Sequence, residues 1–289
     1  MANKILEYLK LIRLDKPTGF LLLFIPCAYG IVVGTDDINM IFKYLVIFFL
    51  GAVFMRSCGC ITNDYFDREF DKKVERTKHR PIAAGTVTIK EAFGLVTLLL
   101  SMSAYLLTYL PIRAIIMCSI SIIPVIIYPL IKRISYYPQI FLGFTFNLGL
   151  IIGFTTVSNK FNSYIFIPYL GFVCWTIFYD TIYGLQDIKD DCRIGVRSFS
   201  MYLKKYHSFR YVHIFAFLFI ILQMIGSIIF LGYHALYIYL SLIPIIMMIL
   251  LCYIIDKYKY ANSLLAKVFK AQTYIGLLFI LAIISTKIV

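Results

Sequence analysis

Nine stretches, near 18–35, 39–62, 89–110, 112–131, 138–157, 163–182, 209–232, 235–254 and 269–288, are apolar over the roughly 17 to 25 residues needed to cross a bilayer. In hydrocarbon a backbone N–H or C=O finds no water, so each stretch must satisfy its own hydrogen bonds, which an α-helix does. The expected architecture is all-α: a polytopic membrane protein of about nine transmembrane helices, forming a single domain over residues 1–289. Thr35-Asp36-Asp37 divides the first pair, and Pro111, a helix breaker, separates the third from the fourth. Hydrophobic residues make up 61% of the chain, which excludes an ordinary soluble domain. The short basic segment before the first stretch has no clear small-residue cleavage site, so that stretch is expected to be a retained span.

Charge sets the orientation. With the first residues on the cytoplasmic side, 23 of the 28 Lys and Arg residues fall on that side, as the positive-inside rule requires. The net charge of +13 is mainly this bias and gives no reason to expect nucleic-acid binding. The expected location is the bilayer of a bacterial inner membrane, with the functional mouth facing the cytoplasm. The seven cysteines lack any zinc or redox spacing and read as small apolar fillers.

Against this apolar background, two runs hold eight of the fifteen acidic residues: Asn63-Asp64-Tyr65-Phe66-Asp67-Arg68-Glu69-Phe70-Asp71 and Asp180 through Asp191. Crowded carboxylates repel unless cations gather them. Asn63 and Asp67 are four apart, and Asp64, Asp67 and Asp71 follow a three-then-four rhythm, so helical geometry puts them on roughly one face. Asp180, Tyr183, Asp187 and Asp191 repeat the pattern, with Asp190 adjacent. Mg²⁺ is the cation such hard oxygen donors suit, and it keeps open positions for water or substrate phosphate. A basic run follows each acidic one, and Arg76 and Arg80, with Lys78 less strongly, lie nearest the first. Metal and guanidinium together suit a diphosphate.

The first run fits N-D-x-x-D-x-x-x-D and the second D-x-x-Y-x-x-x-D-x-x-D-D, and in these the chain resembles the UbiA superfamily of membrane prenyltransferases. Arg13-Leu14-Asp15-Lys16-Pro17-Thr18-Gly19, Met55 through Cys60, Glu75 through Gly85, Tyr128-Pro129, Lys132-Arg133, Tyr137-Pro138-Gln139 and Ile194 through Ser198 are similar to its hydroxybenzoate-prenylating branch. The chain departs from that branch at Ile25-Pro26, at Ser198-Phe199-Ser200 and near the last span, away from every proposed metal ligand.

The resemblance implies a helix bundle around a central cavity, open sideways to lipid. It implies transfer of a polyprenyl group from polyprenyl diphosphate to the ring of 4-hydroxybenzoate, ortho to the hydroxyl, in ubiquinone biosynthesis. Asn63 and Asp67 would hold one Mg²⁺, Asp187 and Asp191 the other, with Asp64, Asp71, Asp180 and Asp190 as additional or supporting groups. Arg76, Arg80 and Lys78 would bind diphosphate. An allylic cation needs aromatic faces, for which Tyr183, Phe141, Phe144 and Phe146 are candidates. Asp180 could accept the ring proton, and Arg133 or Arg56 could pair with the acceptor's carboxylate. Two rivals stand beside this reading: another aromatic or quinone-precursor acceptor, and a cation transporter. Transporters place coupling sites near the bilayer midplane, whereas these runs lie at span ends.

Overall fold

The computed structural model describes residues 2–74, 77–135, 137–158, 160–186, 199–205, 211–258 and 262–288. Among the described residues every stretch expected to span is helical over most of its length, and no strand occurs. In chain order the helices are α1 (Ala2–Leu11), α2 (Thr18–Gly34), α3 (Ile38–Phe66), α4 (Arg68–Asp71), α5 (Ile89–Leu107), α6 (Ile112–Ile134), α7 (Pro138–Phe146), α8 (Leu148–Val157), α9 (Phe166–Gly184), α10 (Phe199–Lys205), α11 (Val212–Leu231), α12 (Ala235–Lys257) and α13 (Asn262–Ile288). Among the described residues seven segments are long and apolar enough to cross a membrane, counting Pro138–Val157 as one, and α2 and Ile112–Tyr128 are shorter apolar helices. The protein is an all-helical, polytopic membrane protein.

Three features depart from the expected spans. A helix, α1, precedes the first of them. The stretch 138–157 is two helices that meet at Asn147 (φ −95°, ψ 1°). The third helix continues past residue 62 to Phe66, carrying Asn63 and Asp64 on its last turn.

Contacts sort the chain into two compact units, with boundaries inside α2, inside α3 and between α5 and α6. The first comprises Met1–Phe24 and Val46–Leu110. Leu11, Cys58, Ile61, Ile82, Val87, Ala92 and Leu99 form its buried cluster. Helix α5 starts at a capping box: Thr88 Oγ1 accepts from the Glu91 backbone N–H, and the Glu91 carboxylate accepts from the Thr88 N–H at 2.7 Å. Helix α1 ends in a Schellman turn, with Leu14 N–H donating to the Leu9 carbonyl and Arg13 N–H to the Lys10 carbonyl, both at 3.1 Å. The left-handed residue of that turn is Arg13 (φ 59°), where glycine is usual. An L-residue there costs about 1–2 kcal/mol, so another interaction must hold Arg13 in place.

The second unit comprises Ile25–Leu45 and Pro111–Val289. Its centre is α9, which packs against α7, α8, α11 and α13. Fully buried Trp175 stacks on Phe219 with centroids 5.1 Å apart, and its Nε1 donates to Gln272 Oε1 at 2.8 Å. Asn147 Nδ2 lies within hydrogen-bond reach of the Gly143 and Phe172 carbonyls and of Thr176 Oγ1, so the helix break is hydrogen-bonded internally. The segments Gly30-x-x-x-Gly34 and Gly149-x-x-x-Gly153 face each other. A Cβ on Gly30 would sit 2.0 Å from the Leu150 carbonyl oxygen, and one on Gly153 2.4 Å from that of Cys27. Lipid supplies no hydrophobic drive for helices to associate, so backbone approach through small residues takes its place.

Candidate functional site

The first acidic run lies where α3 ends and the short α4 begins, and it is not uniform. Asp64 is 2% exposed and Asp71 6%, while Asp67 is half-buried and Asn63 exposed. Arg13 Nη2 donates to both Asp64 oxygens at 2.8 and 2.6 Å. Arg80 Nη1 lies 3.1 Å from Asp64 Oδ1 and 2.9 Å from Asp71 Oδ2, bridging the two carboxylates. Thr77 Oγ1 donates to the Asp71 carbonyl and fixes the loop that brings Arg80 back. Two buried anions are thus matched by two cations, which is the condition for burying charge at tolerable cost. The ion pair with Asp64 is also what offsets the strained backbone at Arg13.

Asn63 and Asp67 remain outside this network. The Asp67 N–H donates to the Asn63 carbonyl at 2.9 Å, so the two side chains leave the backbone one turn apart. Neither side chain has a polar partner among the described residues. An amide oxygen and a carboxylate are oxygen donors of the kind a hard divalent cation takes. Asp64 and Asp71, expected as additional or supporting groups, are paired with arginines. Among the described residues no three His, Cys, Asp or Glu side chains converge as a metal group, so Asn63 and Asp67 need further donors. Glu69, in the same run, points into solvent, where a hydrogen bond from Lys72 holds its carboxyl below the ordinary range.

Other expected residues of this unit are placed as follows. The Arg56 guanidinium lies against the first turn of α2, where a Cβ on Gly19 would approach its Nε to 3.0 Å. Glycine is what admits the arginine there. Lys78 is half-buried on the 77–80 turn, and Arg76 lies outside the described residues. Arg13 was missing from the expected site. Its sequence context reads as one more cation on the positive side, and only its pairing with a residue 51 positions away reveals its place.

In the second unit, Asp180 and Tyr183 occupy the last turn of α9, which ends at Gly184. The helical pattern expected across the whole second run is thus seen over its first five residues; Asp187, Asp190 and Asp191 lie outside the described residues. Trp175, Tyr179 and Tyr183 stand one turn apart and form an aromatic ladder, with Phe269 6.0 Å from Tyr179 and 4.8 Å from Tyr183. The Tyr183 ring is 36% exposed at the top of it. Phe144, 44% exposed, packs on Tyr169 instead. The backbone of Arg133 lies in the last turn of α6, and its side chain lies outside the description.

Comparison with known proteins agrees with these observations. The 4-hydroxybenzoate polyprenyltransferase of Rattus norvegicus mitochondria is 41% identical over 68% of the chain and 54% of its own length. The 4-hydroxybenzoate octaprenyltransferase of Legionella pneumophila (strain Lens) is 40% identical over 69% of the chain and 70% of its own length. The chain spans about half the length of the mitochondrial relatives it matches. A UbiA homologue from Archaeoglobus fulgidus, solved bound to GPP and Mg²⁺, shares the fold at 16% identity and a TM-score of 0.71 over 98% of this chain and 100% of that one. The model of the UbiA prenyltransferase family matches residues 23–280, and the chain belongs to that family.

Proposed function

We propose that the protein transfers a polyprenyl group from polyprenyl diphosphate to 4-hydroxybenzoate, ortho to the hydroxyl, with release of diphosphate. The observation that carries this reading is the division of the first acidic run: two oxygen donors, Asn63 and Asp67, beside two carboxylates already balanced by arginine. Relatives at about 40% identity are named for this reaction, and the Archaeoglobus homologue was solved with GPP and Mg²⁺.

In this reading Asn63 and Asp67 would hold one Mg²⁺ and Asp187 and Asp191 the other, with Asp190 as a supporting group. Bound Mg²⁺ would supply charge to stabilise the departing diphosphate. Arg80, fixed by Asp64 and Asp71, presents an oriented guanidinium to the same anion with little reorganisation, and Arg76 and Lys78 add to it. The Tyr183 face lowers the energy of the allylic cation, and the apolar spans exclude the water that would quench it. The Arg56 guanidinium and the first turn of α2 offer a cationic and dipolar seat for the acceptor's carboxylate, with Arg133 the other cation for that task. Asp180 takes the proton lost from the ring. The face crowded with Lys and Arg is the cytoplasmic one.

Membranes containing the protein, supplied with prenyl diphosphates of several lengths and a panel of aromatic acceptors, test the reading by mass spectrometry. A C-prenylated 4-hydroxybenzoate that disappears with EDTA is expected. Prenylation of a naphthoate or another acceptor in its place would overturn the acceptor assignment, and metal flux into liposomes without any substrate would overturn the reaction class.

A further inference from the structure

A helix on the surface of a soluble protein turns its apolar side inward. Helix α1 does the reverse. At about 100° per residue, Ile5, Leu6 and Leu9 fall within one arc of roughly 100°. They are 59%, 48% and 39% exposed. The opposite side meets the protein through polar groups. Lys4 Nζ donates to a Glu91 carboxylate oxygen and to the Thr86 carbonyl, and the Tyr8 hydroxyl donates to Glu91 at 3.0 Å. Glu7 accepts from Thr86 Oγ1 and from Lys10 Nζ, and Leu11 is fully buried beside them.

The depth of the helix is fixed by the same bonds. Glu91 belongs to the first turn of α5, a membrane span whose next outward residue, Phe93, is 54% exposed. Helix α1 is therefore tied at the level where a span leaves the hydrocarbon. Leu14, in the turn that follows the helix, is 40% exposed.

We propose that α1 is an interfacial helix whose Ile5, Leu6 and Leu9 side chains are seated in the bilayer leaflet on the side of the acidic run. The occupant is lipid, met at the boundary of headgroups and acyl chains, where an apolar helix face enters to roughly 5–10 Å. Water is excluded as the surroundings because it would leave three adjacent large apolar residues exposed while polar ones are turned inward. Helix α1 runs directly into the Arg13 turn, so its seating also sets where the arginine that holds Asp64 begins.

The test uses the full chain in native membranes, with the photo-crosslinker p-benzoylphenylalanine replacing Leu9 in one variant and Leu6 in another. Ile126, 68% exposed on the α6 span, serves as the lipid-facing reference. Irradiation is expected to attach phospholipid at Leu9 and Leu6, as at Ile126. Lipid attachment at Ile126 with none at either α1 position would overturn the proposal. So would a covalent dimer of the chain, or an adduct with another protein, as the main product from both α1 positions.

Discussion

The two units bury polarity in different currencies. In the first, Asp64, Asp71, Arg13 and Arg80 form a charged cluster at the end of a span. The second, among its described residues, buries Asn147, Thr176, Gln223, Ser227, Ser241 and Gln272, all uncharged. Neutral amides and hydroxyls fix how helices meet, at modest cost if unpaired. Ions are expensive to bury wherever they occur, and here two buried carboxylates are balanced by two half-buried arginines. Under the proposed function, the comparison would set residues that hold the fold, Asp64 and Asp71 among them, apart from Asn63 and Asp67, which would hold the cation.

The largest expected effect comes from a residue outside the ion network. Asp67→Ala should lower prenyl transfer by on the order of 100-fold or more, the scale of losing one preorganised electrostatic contact. The stability of the purified protein should change by no more than about 0.5 kcal/mol, because no described contact is lost. Activity assays beside unfolding in detergent check both halves, and an active Asp67→Ala protein would erase the distinction between Asp67 and Asp64.

Next is Asp64→Ala, which strands Arg13 and Arg80. Breaking a buried ion pair costs about 3–5 kcal/mol, and the lower end applies because the arginines keep 20% and 22% of their side chains exposed. The same unfolding measurement should show a loss several times that of Asp67→Ala; equal losses would mean the network does not stabilise the first unit.

Smaller still is Asn147→Ala in the second unit. Removing one hydrogen-bonding amide between membrane helices costs about 1–2 kcal/mol. Metal and diphosphate binding should be unchanged. A loss of binding there would break the division of labour between the neutral and the charged interiors.

Arg13→Gly sharpens the comparison at a single backbone position. Glycine relieves the strain of the left-handed turn, worth about 1–2 kcal/mol, while removing the cation from Asp64. The net stability change should therefore be smaller than for Arg13→Ala, which loses the ion pair and keeps the strain. Identical values for the two would show that the Schellman turn at Arg13 contributes nothing.

Much of this was legible in the sequence. Apolar run length located the seven described spans and both shorter apolar helices, because hydrocarbon thickness admits few other readings; the three-four rhythm implied one helix through the first acidic run, which the structure interrupts at Asp67 (φ −90°, ψ 1°). What the rhythm could not say is which carboxylate meets which cation. Asp64 and Asp67 look alike in sequence, and a partner from beyond the run, Arg13, tells them apart. Helix α1 was hidden for a related reason: its ten residues are too few to span, and its basic side chains read as topology. The break at Asn147 had a visible signal, a lone amide within an apolar stretch, but of the two carbonyls it satisfies, that of Phe172 lies on a helix 25 residues away.

The central claim is that Asn63 and Asp67, and not Asp64 and Asp71, bind the divalent cation. Mn²⁺ titration of the purified protein with inorganic pyrophosphate, followed by electron paramagnetic resonance, reads this without turnover. The account predicts that Asp67→Ala loses bound Mn²⁺ and that Asp71→Asn, which keeps an acceptor for Arg80, retains it. Wild-type Mn²⁺ binding by Asp67→Ala, with loss in Asp71→Asn, would contradict it.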